Sequence, residues 1–289
     1  MTLLNIIILA IVQGLAELLP VSSSAHVVVA EKLLGLDPSS PPMTLLLVML
    51  HTGTMFAVIV YFWRQWRDSY FKSTAAFRRV ATLVIAATAI TAVVGEFIIK
   101  VIEKTAFRNA PRAEIEDLFS HLELIAPALA AAGILILIAG ILEKRRAPRG
   151  AGEGAEPSLA QAGLIGAVQG LCLPFRGFSR SGATISAAML AGVAKARAEA
   201  FSFALAVVLT PPVVVREGLR LVRAEHENGT AHLASVAWAC LGGAVIAFFA
   251  GLLALNWLSR WLEGGRWYLF GIYCLVAAGA VAALHAAGY

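Results

Sequence analysis

Six apolar runs of about 20 residues dominate this sequence and restrict what it can fold into. Such a run matches the thickness of the bilayer hydrocarbon, and a segment inside lipid must satisfy its own backbone hydrogen bonds, as a helix does. The composition agrees, since 59% of the 289 residues are hydrophobic and 14% are charged, against roughly 25% charged in soluble domains. We therefore predict an all-α polytopic membrane protein. The predicted spans are 43–63, 80–100, 125–143, 200–222, 233–256 and 267–287.

Two further apolar regions, 3–36 and 159–193, are interrupted near their middles by Pro, Gly and Ser. Each half is too short to cross a bilayer. We therefore expect each region to enter the membrane as one helix, break, and return as a second helix, forming a re-entrant pair.

The two interrupted regions resemble each other. The tetrapeptide VQGL occurs at 12–15 and again at 168–171, an offset of 156, which also places Ser23 opposite Ser179. The same offset places HTGT (51–54) against VVLTPP (207–212), and we expect both to interrupt their spanning helices. The sequence thus predicts an internal duplication. The expected single membrane domain has repeat 1 at about 1–143, a linker at 144–158, and repeat 2 at about 159–289.

Each repeat would contain a re-entrant pair and three transmembrane helices, and this odd number of crossings makes the repeats inverted. Inverted repeats with broken helices place their site near the midplane. Most of the Lys and Arg residues fall on loops that this topology assigns to one side. The positive-inside rule makes that side cytoplasmic and predicts that both termini face outward.

The second interruption, LPFRGFSRSGATIS (173–186), is typical of an anion site. Its serines and Arg180 directly precede an apolar run, and a helix N-terminus presents free N–H groups to anions. Guanidinium groups also match phosphate in geometry. The alternative is an N-cap serine beside an arginine that reaches the membrane interface. Beside Arg180, the residues expected to contact a phosphate are Arg176, Gly177, Ser179, Ser181, Gly182 and Thr184.

The first interruption carries reactive side chains. Gln13 and Glu17 are four residues apart and share a helix face, serines 22–24 can cap the next helix, and His26 lies in its first turn. The alternative assigns all of these residues structural roles. Ionisable residues inside a membrane mark functional sites, and the offset places only Leu173 opposite Glu17. We infer a reactive half and an anion-binding half, which favours catalysis on a phosphate over binding alone.

These residues resemble the undecaprenyl-diphosphate phosphatase family, also called the bacitracin-resistance family. Its first signature corresponds to Gln13, Glu17 and PVSSSAH, and its second to RGFSRSGAT, with a later FSF at 201–203 and H-x-G-T at 51–54. The resemblance covers nearly the whole chain. Arg176 departs from it, standing where the family usually has Pro, and the acidic Glu199 lies one position earlier than in the family.

The resemblance implies hydrolysis of a polyprenyl diphosphate to the monophosphate and inorganic phosphate, which recycles the lipid carrier for cell-wall synthesis. It also implies Mg²⁺ or Ca²⁺ as a cofactor and the bacterial inner membrane as the location. The implied partners are the lipid substrate and the bilayer, with no nucleic acid; the one expected protein partner is a second copy, as a homodimer.

Our mechanistic hypothesis has Arg180 hold the phosphates and Ser23 attack phosphorus with His26 as its base. Glu17 would hold the cation or orient the attacking group, and a water nucleophile is left open. A polyprenyl-phosphate transporter is the alternative function, because inverted repeats with broken helices are also a transporter architecture. Residues expected to assist in binding the substrate are Gln13, Ser22, Ser24, His51 and Thr54, with a structural role for His51 equally open.

Overall fold

The computed structural model describes residues 2–37, 40–106, 121–145, 156–228, 233–262 and 265–288. Over these ranges the chain forms ten α-helices and no strand. The helices of the first half are α1 (Leu3–Leu18), α2 (Ser23–Leu33), α3 (Pro41–Ser69), α4 (Thr74–Ala106) and α5 (Leu122–Arg145). Those of the second half are α6 (Leu159–Cys172), α7 (Arg180–Leu190), α8 (Lys195–Asn228), α9 (Leu233–Leu262) and α10 (Trp267–Ala286).

Six of these helices are long and apolar enough to cross a membrane, which confirms the prediction of an all-α polytopic membrane protein. Their candidate spans overlap the six predicted ones, with ends that differ by a few residues. The spans are Met43–Ser69, Thr74–Thr105, Leu122–Arg145, Lys195–Arg216, Ala237–Trp257 and Trp267–Ala286.

Both interrupted regions form a pair of short helices separated by a break, as predicted. The first break lies between Leu18 and Ser23, where Ser22 adopts a left-handed backbone (φ 66°) and its hydroxyl caps α2 by accepting from the Ala25 N–H. The second break lies between Cys172 and Arg180, and the Ser179 hydroxyl caps α7. The helices of these pairs have 16, 11, 14 and 11 residues, so none reaches the roughly 20 residues that a crossing requires.

The order of elements is the same in both halves: two short helices, then three long ones. The packing repeats in part, since α1 packs against α9 while its counterpart α6 packs against α4. Counterparts also pack against each other, α3 against α8 and α5 against α10. The opposite membrane orientation of the halves and the exact repeat limits stay predictions. Of the predicted linker 144–158, residues 146–155 lie outside the described part of the chain.

The prediction that HTGT and VVLTPP interrupt their helices is wrong. Helix α3 runs through 51–54, and α8 runs through Pro211 and Pro212. Threonine hydroxyls bond back onto both helices: Thr54 Oγ1 donates to the His51 carbonyl at 2.9 Å, and Thr210 Oγ1 to the Ala206 carbonyl at 2.8 Å. Such bonds, with support from neighbouring helices, let a buried helix tolerate these residues.

Candidate active site

A cavity of about 330 Å³ lies where the two breaks meet. Its walls come from the end of α1, the start of α2, the first part of α3, the second break with the start of α7, and Val213 of α8. Two hydrogen bonds join the breaks directly: the Gly177 N–H donates to Ser24 Oγ at 3.4 Å, and Ser181 Oγ donates to the Leu19 carbonyl at 3.5 Å. The residues on this cavity therefore come from both halves of the chain.

Glu17, with 10% of its side chain exposed, lies at the centre of the polar contacts on this cavity. Its Oε1 is 2.5 Å from Nη2 of Arg180. Its Oε2 accepts hydrogen bonds from Ser23 Oγ and, at 3.0 Å, from Gln13 Nε2, and lies 3.3 Å from Nε2 of His51. One carboxylate thus joins a hydroxyl, an amide, an imidazole and the guanidinium of the other half.

Arg180 retains one unused donor. Its Nη2 contacts Glu17, but its Nη1 is buried and has no hydrogen-bond partner among the described residues. Buried donors are nearly always paired in native proteins, so an unpaired one requires an explanation. Because Arg180 is the first residue of α7, the free N–H groups of the helix N-terminus lie beside it. Together they suit an anionic oxygen.

His26 is not where the sequence hypothesis requires a base for Ser23. Its Nδ1 lies 2.8 Å from the Ser22 carbonyl, which can only accept, so Nδ1 carries the proton. Its Nε2 lies 2.7 Å from the hydroxyl of Tyr273 on α10, and the two rings stack with centroids 5.6 Å apart. Both ring nitrogens are therefore engaged away from Ser23, and His26 does not line the cavity. This arrangement corrects the predicted pairing of Ser23 with His26.

His51 lies on the cavity instead. Its Nδ1 donates to the Leu47 carbonyl at 2.7 Å, which turns Nε2 towards Glu17. The sequence left this histidine open between a structural role and a place in the site. Its position one helix turn after Leu47 puts it among the reactive groups.

The other predicted site residues divide into two sets. Six of them line the cavity: Gln13, Ser22, Ser24, Arg176, Ser179 and Ser181. Four others are not among the residues that line it: Thr54, Gly177, Gly182 and Thr184. Thr54 bonds back to the helix, Gly177 has a positive φ of 101° at the break, and the Gly182 N–H donates to the capping Ser179. The Thr184 hydroxyl is buried at 2.6 Å from Ser202 Oγ. These contacts lie within the protein, and direct contact of the four residues with a phosphate stays a prediction.

Two residues at the site carried no sequence signal. Tyr273 lies in an apolar helix and belongs to no motif, yet it orients His26. Cys172 ends α6 and lines the cavity. Cys172 directly precedes the second break in the sequence but belongs to neither signature, and only the tertiary structure shows that Tyr273 lies near the first break.

The described side chains contain no group of three His, Cys, Asp or Glu residues able to hold a metal ion by themselves. Among the residues that the structure describes, Glu17 is the only carboxylate that lines the cavity. Beside it, Gln13 is fully buried, and its Oε1 has no hydrogen-bond partner within the described part of the chain. Mg²⁺ is commonly bound by one or two carboxylates together with substrate phosphates. The donor set fits a cation that binds together with a phosphate ligand.

A larger cavity of about 790 Å³ lies at the other end of α3. It contains an ion pair between Arg197 and Glu156 at 2.6 Å, and burial raises the pKa of Glu156. The Ser69 hydroxyl on its wall donates to the Gln65 carbonyl. Among the described residues that line this cavity, no hydroxyl is hydrogen-bonded to a carboxylate as Ser23 is to Glu17.

The sequence matches the family model described as "Bacitracin resistance protein BacA" over residues 6–280. It is 56% identical over 287 residues to "Undecaprenyl-diphosphatase 2" of Acinetobacter baylyi, covering 98% of each chain. It is 31% identical over 275 residues to "Undecaprenyl-diphosphatase" of Rhodopirellula baltica, covering 95% of each. A third relative, "Undecaprenyl-diphosphatase" of Gluconacetobacter diazotrophicus, is 33% identical over 292 residues, which cover 96% of this chain and 95% of the relative.

Proposed function

Because this chain belongs to the bacitracin-resistance protein BacA family, we propose that it is an integral membrane undecaprenyl-diphosphatase. It hydrolyses undecaprenyl diphosphate to the monophosphate and inorganic phosphate, which returns the lipid carrier to cell-wall synthesis. One observation carries the proposal: Glu17 contacts both the Ser23 hydroxyl of its own half and the Arg180 guanidinium of the other half. One cavity thus holds a nucleophile (Ser23), a base (Glu17) and a guanidinium group that can bind phosphate (Arg180).

The terminal phosphate binds at the second break. Arg180 Nη1 and the first N–H groups of α7 receive its oxygens, and Arg176, which lines the same cavity, contributes a second guanidinium. These donors are already in place before the substrate arrives. Preorganised donors stabilise the charge that builds up on phosphate oxygens during transfer, and removing one such donor costs roughly 10²–10³ in rate.

The reaction begins at Ser23. Glu17 Oε2 takes the hydroxyl proton, and Oγ attacks the terminal phosphorus, so that the bond to the bridging oxygen breaks and the lipid monophosphate leaves. The proton that Glu17 took leaves with the lipid monophosphate, which frees the carboxylate. Water then hydrolyses the phosphoserine: Glu17 takes one proton from the attacking water and gives it to Ser23 Oγ as the bond from Oγ to phosphorus breaks. Glu17 replaces His26 as the base of this step because its carboxylate already accepts the Ser23 hydrogen bond. Direct attack by a water that Glu17 orients is the second route.

A divalent cation, Mg²⁺ or Ca²⁺, is part of the proposal. Glu17 and the unpaired Gln13 Oε1 are the residues that would hold it. When bound, such an ion would supply positive charge that neutralises the charge developing on the phosphate. The residues of the chain keep the same roles with it: Gln13 and Glu17 orient the phosphates, and Arg180 holds the terminal one.

The chain is a multi-pass membrane protein with six apolar helices. We place it in the bacterial inner membrane with both termini on the periplasmic side, following the distribution of Lys and Arg along the loops. A homodimer stays a prediction that native mass spectrometry of the detergent-solubilised protein can test. No feature of the site requires nucleic acid as a partner.

A transporter of polyprenyl phosphates is not favoured. The anion site formed by Arg180 and the N-terminus of α7 would be enough for transport. Transport does not need a hydroxyl in contact with a carboxylate. The relatives that align along nearly the whole chain are named as diphosphatases.

The test is phosphate release from undecaprenyl diphosphate, and from farnesyl diphosphate as a soluble analogue, by the purified protein with Mg²⁺ or Ca²⁺. The Glu17→Gln variant, purified in the same way, reports any contaminating phosphatase. We expect release by the wild type alone. If a folded wild-type protein released no phosphate from either substrate, the proposed function would be wrong and transport in vesicles would be examined next.

A further inference from the structure

The cavity of about 790 Å³ at the other end of α3 lies where several helices begin or end. Helix α3 ends beside it at Ser69, α4 begins at Thr74 and α8 begins at Lys195. These are also ends of candidate membrane spans, so the cavity lies at the depth of the lipid headgroups on the side that the positive-inside rule makes cytoplasmic. His51 and Gln65 line the two cavities, and they are about 20 Å apart because a helix rises roughly 1.5 Å per residue.

The charged side chains on this cavity favour an anion. Three are basic and two are acidic: Lys72, Arg79, Arg197, Asp68 and Glu156. Arg197 is paired with Glu156 at 2.6 Å. Asp68 is paired at 3.0 Å with Arg67, which is not among the residues that line the cavity. Within the described part of the chain, Lys72 and Arg79 form no ion pair of their own, although their fields reach the Glu156 carboxylate. The wall therefore carries a net positive charge.

The backbone adds to this positive charge. Helices α4 and α8 both begin at the cavity, and Ala75 and Ala196 in their first turns line it. The N-terminus of a helix carries a partial positive charge. Ser73, also on the wall, caps α4 by accepting from the Ala76 N–H at 3.2 Å. Two helix N-termini thus lie beside Lys72 and Arg79.

Three aromatic rings flank the basic wall. The rings of Trp63 and Phe71 have centroids 6.1 Å apart, and those of Phe71 and Phe77 are 5.7 Å apart. Each of the three side chains is about half exposed. Phe71 directly precedes Lys72, and Phe77 follows Ala76 on the cavity wall. Exposed aromatic rings are typical of the membrane–water interface, so the cavity is bordered by a surface that suits acyl chains.

We propose that this cavity binds the headgroup of an anionic phospholipid. The lipid phosphate lies between Lys72 and Arg79, and the acyl chains lie along Trp63, Phe71 and Phe77. Basic pockets between transmembrane helices on the cytoplasmic side bind anionic headgroups. A soluble phosphate would use the same charges but would gain nothing from the three rings. The proposal is independent of the reaction at Glu17, because it concerns other residues at the other end of α3.

The test is native mass spectrometry of the delipidated, detergent-solubilised protein titrated with phosphatidylglycerol, whose headgroup is anionic. Zwitterionic phosphatidylcholine and inorganic phosphate are the comparison ligands. We expect one phosphatidylglycerol per chain to bind more tightly than phosphatidylcholine, and inorganic phosphate at the same concentration not to displace it. In the double variant Lys72→Gln/Arg79→Gln this binding should weaken by about 30-fold, since each Lys or Arg near an anionic lipid contributes about fivefold.

The matched control is the double variant Arg64→Gln/Arg78→Gln. Arg64 and Arg78 are exposed on α3 and α4 at the same end of the molecule, but neither lines the cavity. This variant loses the same charge and should keep the wild-type affinity for phosphatidylglycerol. Lys72 and Arg79 are exposed too, so their replacement should leave the fold intact, as gel filtration and thermal unfolding will report. If the double variant does not fold, the two single variants replace it, each with an expected loss of about fivefold.

Four results would overturn the assignment. Wild-type affinity in a folded Lys72→Gln/Arg79→Gln protein would place the lipid elsewhere. An equal loss in the Arg64→Gln/Arg78→Gln control would show that surface charge in general attracts the lipid. Phosphatidylcholine binding as tightly as phosphatidylglycerol would show that the cavity does not recognise headgroup charge. Displacement of the lipid by inorganic phosphate at equal concentration would make a soluble anion the ligand of this cavity.

Discussion

At the first break, Gln13 donates its amide hydrogen to Glu17, whereas at the second break its counterpart, Gln169, donates to the Thr91 hydroxyl of α4. Both glutamines are fully buried, and the predicted repeat alignment places them opposite each other. The two glutamines have different partners because the residue opposite Glu17 is Leu173, which has no carboxylate to accept the amide hydrogen. The same glutamine therefore orients a reactive group in one half and joins two helices in the other.

The capping serines differ as well. In the repeat alignment Ser23 stands opposite Ser179, and Ser179 caps α7. In the first half the cap is Ser22, one residue earlier, which takes a left-handed backbone to do so. This shift of one residue releases the Ser23 hydroxyl from capping and lets it bond to Glu17. Under the predicted duplication, the two breaks differ in chemistry through one substitution and a shift of one residue.

The strongest test of the division into a reactive first half and an anion-binding second half is the Glu17→Gln variant. Removing the carboxylate takes the base from Ser23 and leaves Arg180 without its partner. We expect phosphate release to fall by roughly 10³-fold or more, within the range for lost acid–base catalysis combined with a lost charge partner. Steady-state kinetics with farnesyl diphosphate measure it. A variant that kept a tenth of the wild-type kcat would remove Glu17 from the reaction.

Next in size is the contrast between Ser23→Ala and Ser179→Ala. Ser23→Ala should lower kcat by about 10²-fold or more without changing the melting temperature, since Ser22 provides the cap. Ser179→Ala should cost about 1 kcal/mol of stability and act on KM more than on kcat. Steady-state kinetics and thermal unfolding of both variants measure these changes in kcat, KM and stability. Substantial turnover by Ser23→Ala would reject the covalent route and leave the water route.

The glutamine pair gives a smaller contrast. Gln13→Ala removes the unpaired Oε1 and the support of Glu17, so the concentration of Mg²⁺ or Ca²⁺ giving half-maximal activity should rise several-fold. Gln169→Ala should leave that concentration unchanged and lower stability by about 1 kcal/mol, the usual worth of a hydrogen bond. Metal titrations of both variants measure the difference. Equal shifts in the two variants would show that the halves are not divided in this way.

The smallest effects are expected at His26 and Tyr273. Tyr273→Phe and His26→Ala each remove the one hydrogen bond between α2 and α10 at this point, worth about 1 kcal/mol. Their effects on stability should not add in the double variant, and each should retain most of the wild-type kcat. If His26→Ala abolished turnover in a folded protein while Tyr273→Phe did not, His26 would be restored as the base predicted from the sequence.

The sequence was informative wherever the membrane imposes the pattern. Hydropathy located all six spans, and Pro, Gly and Ser located both breaks, because polar residues and irregular backbone are costly in lipid. The side chains of Glu17, Ser23 and Arg180 do meet in the structure. The orientation of His26 could not be predicted, since it depends on Tyr273, 247 residues away along the chain. The continuity of α3 and α8 was missed because local threonine bonds leave no hydropathy signal.

The most direct test of the division between the halves is a structure of the protein with orthovanadate, an analogue of the phosphate in transfer. The account predicts vanadium bonded to Ser23 Oγ, with its oxygens in hydrogen-bond contact with Arg180 Nη1 and the first N–H groups of α7, and with His51 Nε2 on the same cavity. Vanadate bound at the second break but out of reach of Ser23, or bound beside His26, would contradict it.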